Sequence, residues 1–305
     1  MITKKTFKGI PYLDVYNPTS DEVKEIMRDY HLDPGVAEEI LSPSLKPRVE
    51  RYSDYFYMIL HFPAFKQSHA DNSHSQEIDF IISKKFFITV RYDVNESIER
   101  FVKKIDVDSI TSKVEIGHPS LFLFFNLTER LYNASMFELQ SAETDLKEIE
   151  DKVFAGQEKD MVFALSRFGR NMLEFRQTIT SHKDVLKSLE KSWRSVFGDI
   201  YTHHIDRMMA SYFKVKNTHN MVKDTMQEVR LTNDSLLTTK QNETMKVFTI
   251  LAFVTFPLTL VAGLFGMNTK DTPFLGAEND FWIILGSMGL VTLVMFLYFR
   301  WKRWL

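Results

Sequence analysis

Two stretches near the C-terminal end interrupt an otherwise mixed pattern of apolar and polar positions. Val247–Phe265 and Phe281–Phe299 each run for 19 residues without an Asp, Glu, Lys, Arg or His. At about 1.5 Å per helical residue each reaches roughly 28 Å, close to the hydrocarbon thickness of a bilayer. A buried core helix of that length normally keeps a polar face, and neither stretch has a charged residue, so both are predicted to span a membrane. Lys240 and Lys246 precede the first stretch, and Arg300, Lys302 and Arg303 follow the second. The connecting loop holds Lys270 beside Asp271, Glu278 and Asp280. Basic residues accumulate on the cytoplasmic side, which places both outer ends in the cytoplasm and the loop outside a cell (inner or plasma) membrane. Trp282, Trp301 and Trp304 stand where interfacial anchors belong.

Upstream, the pattern is that of a soluble body. Six of the nine prolines lie before residue 64, Pro119 follows, and none recurs until Pro257. Thr19 and Ser20 can cap a helix through Val23, Ile26 and Met27. Tyr55–Phe65 and Ile78–Arg91, rich in β-branched and aromatic residues, predict two neighbouring strands around the polar loop Gln67–Ser75. From Pro119 onward the pattern is helical, with interruptions expected only near Gly156 and Gly198. Ile205, Met208, Tyr212, Val215, His219, Val222, Met226, Val229, Asn233 and Leu236 recur at steps of three and four, a heptad stripe suited to packing along another helix. No breaker follows before Pro257, so one helix is predicted from about His203 into the first span; a break between Ile205 and Phe256 would disprove it. The expected organisation is an α/β domain at 1–118, long helices including a stalk at 119–243, the first span at 244–268, an outward loop at 269–280, and the second span with a basic tail at 281–305.

Composition narrows the function by exclusion. The chain carries 38 basic and 40 acidic residues, which indicates no nucleic-acid partner. The absence of cysteine excludes disulfides, thiolate metal sites and thiol nucleophiles. Met1-Ile2-Thr3-Lys4-Lys5 lacks the apolar run of a secretory signal, so the first two hundred residues are expected in the cytoplasm. No G-x-x-x-x-G-K-[ST] run occurs, so neither a nucleotide partner nor ATP-driven pumping is supported. No nucleophile–base constellation points to an enzyme. The loop His69–His74 and the pair His203-His204 lack the positioned carboxylate or Cys that a zinc site needs. The acidic run from Glu143 to Asp160 reads as a solvated helix face.

Two spans cannot enclose a water-filled path, so transport would require a homo-oligomer around an axis in the lipid bilayer. Counting by threes and fours along the first span gives Asn242, Met245, Thr249, Ala252, Phe256, Thr259 and Gly263. Small and hydroxyl residues permit close helix approach and offer oxygens to a hydrated ion, which makes this stripe the candidate pore wall. The alternative is that the threonines hydrogen-bond their own backbone, as expected of Thr255 off the stripe. Neither span holds an Asp or Glu, which Mg2+ would need if stripped of water, so the lining suits a cation that keeps its shell. Met245 and Phe256 are candidate apolar constrictions, and Pro257 frees the Phe253 carbonyl and can bend the helix.

The first span ends Gly263-Leu264-Phe265-Gly266-Met267-Asn268, preceded by Asn242-Glu243-x-Met245-Lys246-Val247 and Pro257-Leu258-Thr259, and the chain closes Lys302-Arg303-Trp304-Leu305. With Gly-Met-Asn at the outer end of the first of two C-terminal spans, and Lys46-Pro47-Arg48-Val49-Glu50 ahead of an aromatic strand, the chain resembles the CorA family of magnesium channels. That resemblance implies an α+β membrane protein: an α/β/α N-terminal cytoplasmic domain, a stalk helix continuous with the first membrane helix, and a funnel-shaped homopentamer. It implies a selectivity filter at Gly266, Met267 and Asn268, and a pore lined by Asn242, Met245, Phe248, Phe256, Thr259 and Gly263. Phe256 stands where many members have Met, and Phe265 where many have Tyr. Thr272-Pro273-Phe274-Leu275 replaces a frequent Met-Pro-Glu-Leu, so Asp271, Glu278 and Asp280 become the candidates for attracting cations electrostatically. Members sense cytoplasmic Mg2+ through carboxylates between subunits, and the nearest counterparts are Glu96 and Asp206, without the usual Tyr-Asp-His pattern near Asp206. The implied function is passive, potential-driven Mg2+ influx, with Mg2+ both transported and regulatory and no other cofactor. The alternatives are Zn2+, Co2+ or Ni2+ transport on the same fold, or a non-conducting coiled-coil scaffold tethered to the membrane.

Overall fold

The computed structural model describes residues 1–44, 46–64, 75–111, 118–267 and 279–302, with side chains left out at 106–111 and 280. It divides into two compact units, Met1–Arg230 and Leu231–Leu305.

The first unit is built on a six-stranded sheet. Its strands are β1 (Ile2–Phe7), β2 (Ile10–Tyr16), β3 (Arg48–Arg51), β4 (Tyr55–Pro63), β5 (Ser75–Ser83) and β6 (Phe87–Arg91), in the order β1-β2-β6-β5-β4-β3. Neighbours are antiparallel except β2 and β6, which are parallel. The inner strands β4, β5 and β6 are buried almost throughout, which explains their near-continuous apolar sequences: both faces of the sheet are covered.

One face packs under α1 (Ser20–Tyr30) and α2 (Pro34–Glu39), where Val23, Ile26, Val36 and Ile40 meet Leu13, Val15, Ile59, Ile81, Ile88 and Val90. Thr19 caps α1 as expected, and Glu22 completes a capping box. The other face carries Tyr12, Phe56, Phe80 and Phe87, covered by α3 (Glu96–Thr111), α4 (Pro119–Phe154) and α6 (His182–Phe197). There Phe124 stands edge-on to Phe80 and Phe87, Phe101 edge-on to Tyr12, and Trp193 stacks on Phe56 at 6.1 Å. The result is an α/β/α sandwich.

Two local expectations need correction. Ile78–Arg91 is not one strand: β5 and β6 are joined by a tight turn closed by Ser83 N–H to Phe86 O at 3.1 Å. The polar triplet Ser83-Lys84-Lys85 lets the chain reverse there while apolar residues continue on both sides. The helices also break once more than expected. The chain stops at Gly156 (φ 87°) and Gly198 (φ 69°), but also between α5 (Glu158–Thr180) and α6, at Ser181. Immediately after that joint the buried His182 ring bonds His61 O through Nε2 at 2.7 Å and Tyr132 OH through Nδ1 at 3.0 Å. The joint is set by contacts to β4 and α4 rather than by a local breaker.

Helix α7 is unbroken from Thr202 to Phe265 and continues through Pro257. Of its heptad stripe, every member from Ile205 to Asn233 is buried and Leu236 is half-buried. His219 Nε2 donates to Met172 O at 2.8 Å, and its ring stacks on Phe175, so this polar stripe member is satisfied by α5. Helix α8 spans Asp280–Trp301.

Candidate functional site

The second unit contains the end of α7 and the whole of α8, both long and apolar enough to cross a membrane. From Ile250 onward the half-buried positions on α7 are Ile250, Val254, Pro257, Leu258, Val261 and Phe265; on α8 they are Ile284, Met288 and Thr292, then Met295, with Phe299 buried. Both sets recur at three- and four-residue steps, the pattern of a helix covered along one face only.

The candidate stripe lies off that covered face. Asn242, Met245, Ala252, Phe256, Thr259 and Gly263 are exposed, Phe256 to 75 %, and Thr249 is half-buried. Phe248 is also exposed. Phe256, Thr259, Leu260, Gly263, Leu264 and Met267 line a shallow groove of about 450 Å3 along this part of the helix.

The threonine alternative is what the hydroxyls do. Thr249 Oγ1 donates to Met245 O at 2.8 Å, Thr255 to Leu251 O at 2.9 Å, and Thr259 to Thr255 O at 2.8 Å. On and off the stripe, each hydroxyl hydrogen is committed four residues back. What remains is acceptor capacity, since a hydroxyl oxygen has two lone pairs.

The helix ends at the glycine of the Gly-Met-Asn run. Gly266 N–H bonds Ala262 O at 2.9 Å, and a Cβ at Gly266 would lie 3.0 Å from that same oxygen. A side chain there would press against backbone, so glycine relieves a close approach. Gly263 has open space around its Cβ position. Met267 is exposed and donates its N–H to Leu264 O at 3.4 Å. Asn268, Asp271 and Glu278 lie outside the described residues, as do the His69–His74 loop and Trp304, and Asp280 is described only as the first residue of α8.

The regulatory candidates are not brought together within one chain. Glu96 begins α3 and pairs with Arg100 at 2.7 Å. Asp206 is exposed on α7. Among the described residues no group of three or more His, Asp or Glu is placed to hold a metal ion. His203 and His204 meet edge-on with ring centres 4.0 Å apart, and His204 also meets Phe125 and Tyr201; burial lowers the His204 pKa. On the acidic run, Asp145, Glu148 and Asp160 share an open cleft with Lys152 and Arg167, a mixed-sign lining. The sequence did not single out the polar cluster inside the sheet, His61, Glu77 and Asp79. Its signal was two carboxylates alternating with apolar residues in Gln76-Glu77-Ile78-Asp79.

Residues 7–303 match the family described as CorA-like Mg2+ transporter protein. The chain is 26% identical to the cobalt/magnesium transport protein CorA of Thermotoga maritima, with 97% of this chain and 86% of that protein aligned. It is 22% identical to the protein of the same description from Methanocaldococcus jannaschii, over 96% of this chain and 91% of that one. Its fold matches the complete structure of the Methanocaldococcus jannaschii CorA magnesium transporter with a TM-score of 0.83 and 19% identity, covering 99% of this chain and 94% of that one. A match across almost the full length, joined to two exposed apolar helices of which the first runs into Gly-Met-Asn in the sequence, makes this chain a member of the CorA-like Mg2+ transporter family.

Proposed function

We propose that copies of this chain, five by family resemblance, surround an axis lined by the α7 stripe and pass a hydrated divalent cation, Mg2+ foremost and Co2+ with it. Both termini face the cytoplasm of a cell membrane, and the membrane potential drives entry. The observation that carries the reading is the uncovered stripe itself: it holds no charge, and its hydroxyl hydrogens are already used.

A cation orients its first-shell waters with their hydrogens outward. The wall that suits such a shell offers acceptors, and threonines whose hydrogens are bonded to i−4 carbonyls offer nothing else. Thr249 and Thr259 are therefore outer-shell acceptors, two helical turns and more apart along the pore. Mg2+ dehydrates reluctantly, so contact through water avoids the carboxylates that both spans lack. Met245 and Phe256 form apolar rings that close the path by dewetting. Gly266, Met267 and Asn268 form the entrance filter, with the Asn268 amide oxygen and Gly266 carbonyl on the ion's waters. Asp271, Glu278 and Asp280 raise the local cation concentration outside the filter. Glu96 and Asp206 hold regulatory Mg2+ between neighbouring subunits and close the pore when it binds.

Purified chains in liposomes, with Mg2+ uptake followed by an entrapped indicator, test this directly. Asn268→Ala is expected to lose most uptake, and Thr259→Val to lose more than Thr259→Ser. Wild-type uptake no greater than that of protein-free liposomes would leave the scaffold reading standing, uptake unchanged in Asn268→Ala would overturn the filter assignment, and competition by Co2+ against Zn2+ ranks the ions.

A further inference from the structure

The α1/α2 side of the sheet encloses a polar cluster. Glu77 and Asp79 lie two residues apart on β5, so their side chains project to the same face. Buried Glu77 takes the Ser44 N–H at 2.8 Å on Oε1 and 2.7 Å on Oε2, and His61 Nε2 stands 3.0 Å from Oε2. Glu77 thereby ties the segment between α2 and β3 to the centre of the sheet.

Asp79 is arranged otherwise. It is fully buried, its Oδ2 accepts Tyr57 OH at 3.0 Å and Tyr92 OH at 3.3 Å, its Oδ1 receives no hydrogen bond, and the Glu77 carboxylate lies within hydrogen-bond reach of the Asp79 carboxyl. Among the described residues it has no ion-pair partner. The groups around it are Tyr57 and His61 on β4, Glu77 on β5, Tyr92 after β6, and Glu39 on α2. The nearby cation, Arg48 on β3, lies 5.8 Å over the Tyr57 ring and is engaged by Glu39 and Glu50. A carboxylate with one oxygen bare, in a dry core beside a second carboxylate, is costly; a carboxylic acid with its proton on the bare oxygen is not.

We propose that Asp79 carries a proton that keeps the Ser44 segment latched onto Glu77, and that losing this proton at alkaline pH releases the segment. Burial first, then the charge of Glu77, holds the Asp79 carboxyl well above the usual carboxylate range. The folded state therefore binds this proton more tightly than the unfolded chain does. Its contribution is complete below the ordinary aspartate range and fades as pH rises through the raised value. Once Asp79 ionises, Glu77 meets a second negative charge two residues away. It relieves the repulsion by turning aside or by taking up a proton itself, and either response weakens its acceptance of the Ser44 N–H.

Hydrogen exchange on the full chain in detergent, read by mass spectrometry in the peptide covering Ser42–Ser44, tests the latch across alkaline pH. After correction for base-catalysed exchange, protection in the wild type is expected to fall at least tenfold. Asp79→Asn stays neutral and can donate its amide hydrogen to Glu77, so its protection should hold constant. Tyr57→Phe removes a donor that favours the ionised form and should move the fall to higher pH. Equal pH profiles in wild type and Asp79→Asn, or an unmoved profile in Tyr57→Phe, would overturn the proposal. Infrared spectra of the wild type near neutral pH should also show a protonated carboxyl band that vanishes on alkalinisation; its absence overturns the proposal even where a variant fails to fold.

Discussion

His182 shows how much one side chain can fix when its polar atoms have named partners. A carbonyl only accepts, so Nε2 must carry the hydrogen given to His61 O; Nδ1 is then the acceptor, and Tyr132 OH donates to it. The ring is locked neutral in one tautomer, and burial lowers its pKa to about 4. The folded state resists protonation that the unfolded chain accepts near 6.5, so stability is full above that value and is lost as pH falls toward 4. A shift of this size corresponds to roughly 3 kcal/mol at the acid end. Thermal melts from pH 7 to 4 should show this loss, and His182→Gln should flatten the profile. Asp14 and Arg91 form a second buried pair, with Nη2 to Oδ2 at 3.0 Å and Thr89 Oγ1 bonding Oδ1. Asp14→Ala removes the close partner and leaves the guanidinium with Glu99 at 3.8 Å and the Asp93 carbonyl at 3.4 Å, so it should cost about 3 kcal/mol, measured by chemical denaturation. Neither role was legible in the sequence. His182 depends on a carbonyl 121 residues away and Arg91 on a carboxylate 77 residues away, separations that no local pattern encodes.

Among the elements, those that declare themselves locally were read well. Thr19, one of the two candidate caps, lies beside the helix it starts, and the heptad stripe of α7 repeats often enough to announce its buried face. Gly156 and Gly198 marked helix ends because their backbones enter the left-handed half of conformational space. At Gly198, φ 69° and ψ −150° belong to glycine alone, and nothing lies within 4 Å of a Cβ built there. Gly198→Ala should therefore destabilise by torsional strain only, about 1–3 kcal/mol, and a melting shift well below that range would contradict it. The turn between β5 and β6 and the joint at Ser181 were missed for a common reason. Each reverses or divides the chain without glycine or proline: a short polar triplet makes the first, and the contacts of His182 to β4 and α4 set the second. The candidate pore stripe was legible as a periodic set of residues, and the hydroxyl orientations within it needed coordinates.

For the whole molecule, the sequence carried the family because Gly266-Met267-Asn268 stands directly after the first of two charge-free C-terminal spans, a context that makes a short tripeptide specific. The soluble sandwich was less legible, since both faces of its sheet are apolar and periodicity cannot then separate one layer from another. A passive conductor of a doubly charged ion must respond to voltage at equilibrium. Each 100 mV contributes about 4.6 kcal/mol, so liposomes held at that potential should concentrate the ion by about three orders of magnitude. Accumulation that ignores an imposed potential, measured with an ionophore-set gradient, would rule out simple electrogenic passage.

The sheet ends on both sides in strands that discourage company. At one border β1 presents Lys4 and Lys5, and at the other β3 is the short run Arg48-Val49-Glu50-Arg51. Unpaired edge amides invite another chain to add itself strand by strand, and charged, brief borders are how folded proteins refuse. Copies of this chain crowded side by side in one bilayer are thus steered away from fusing their sheets into an aggregate.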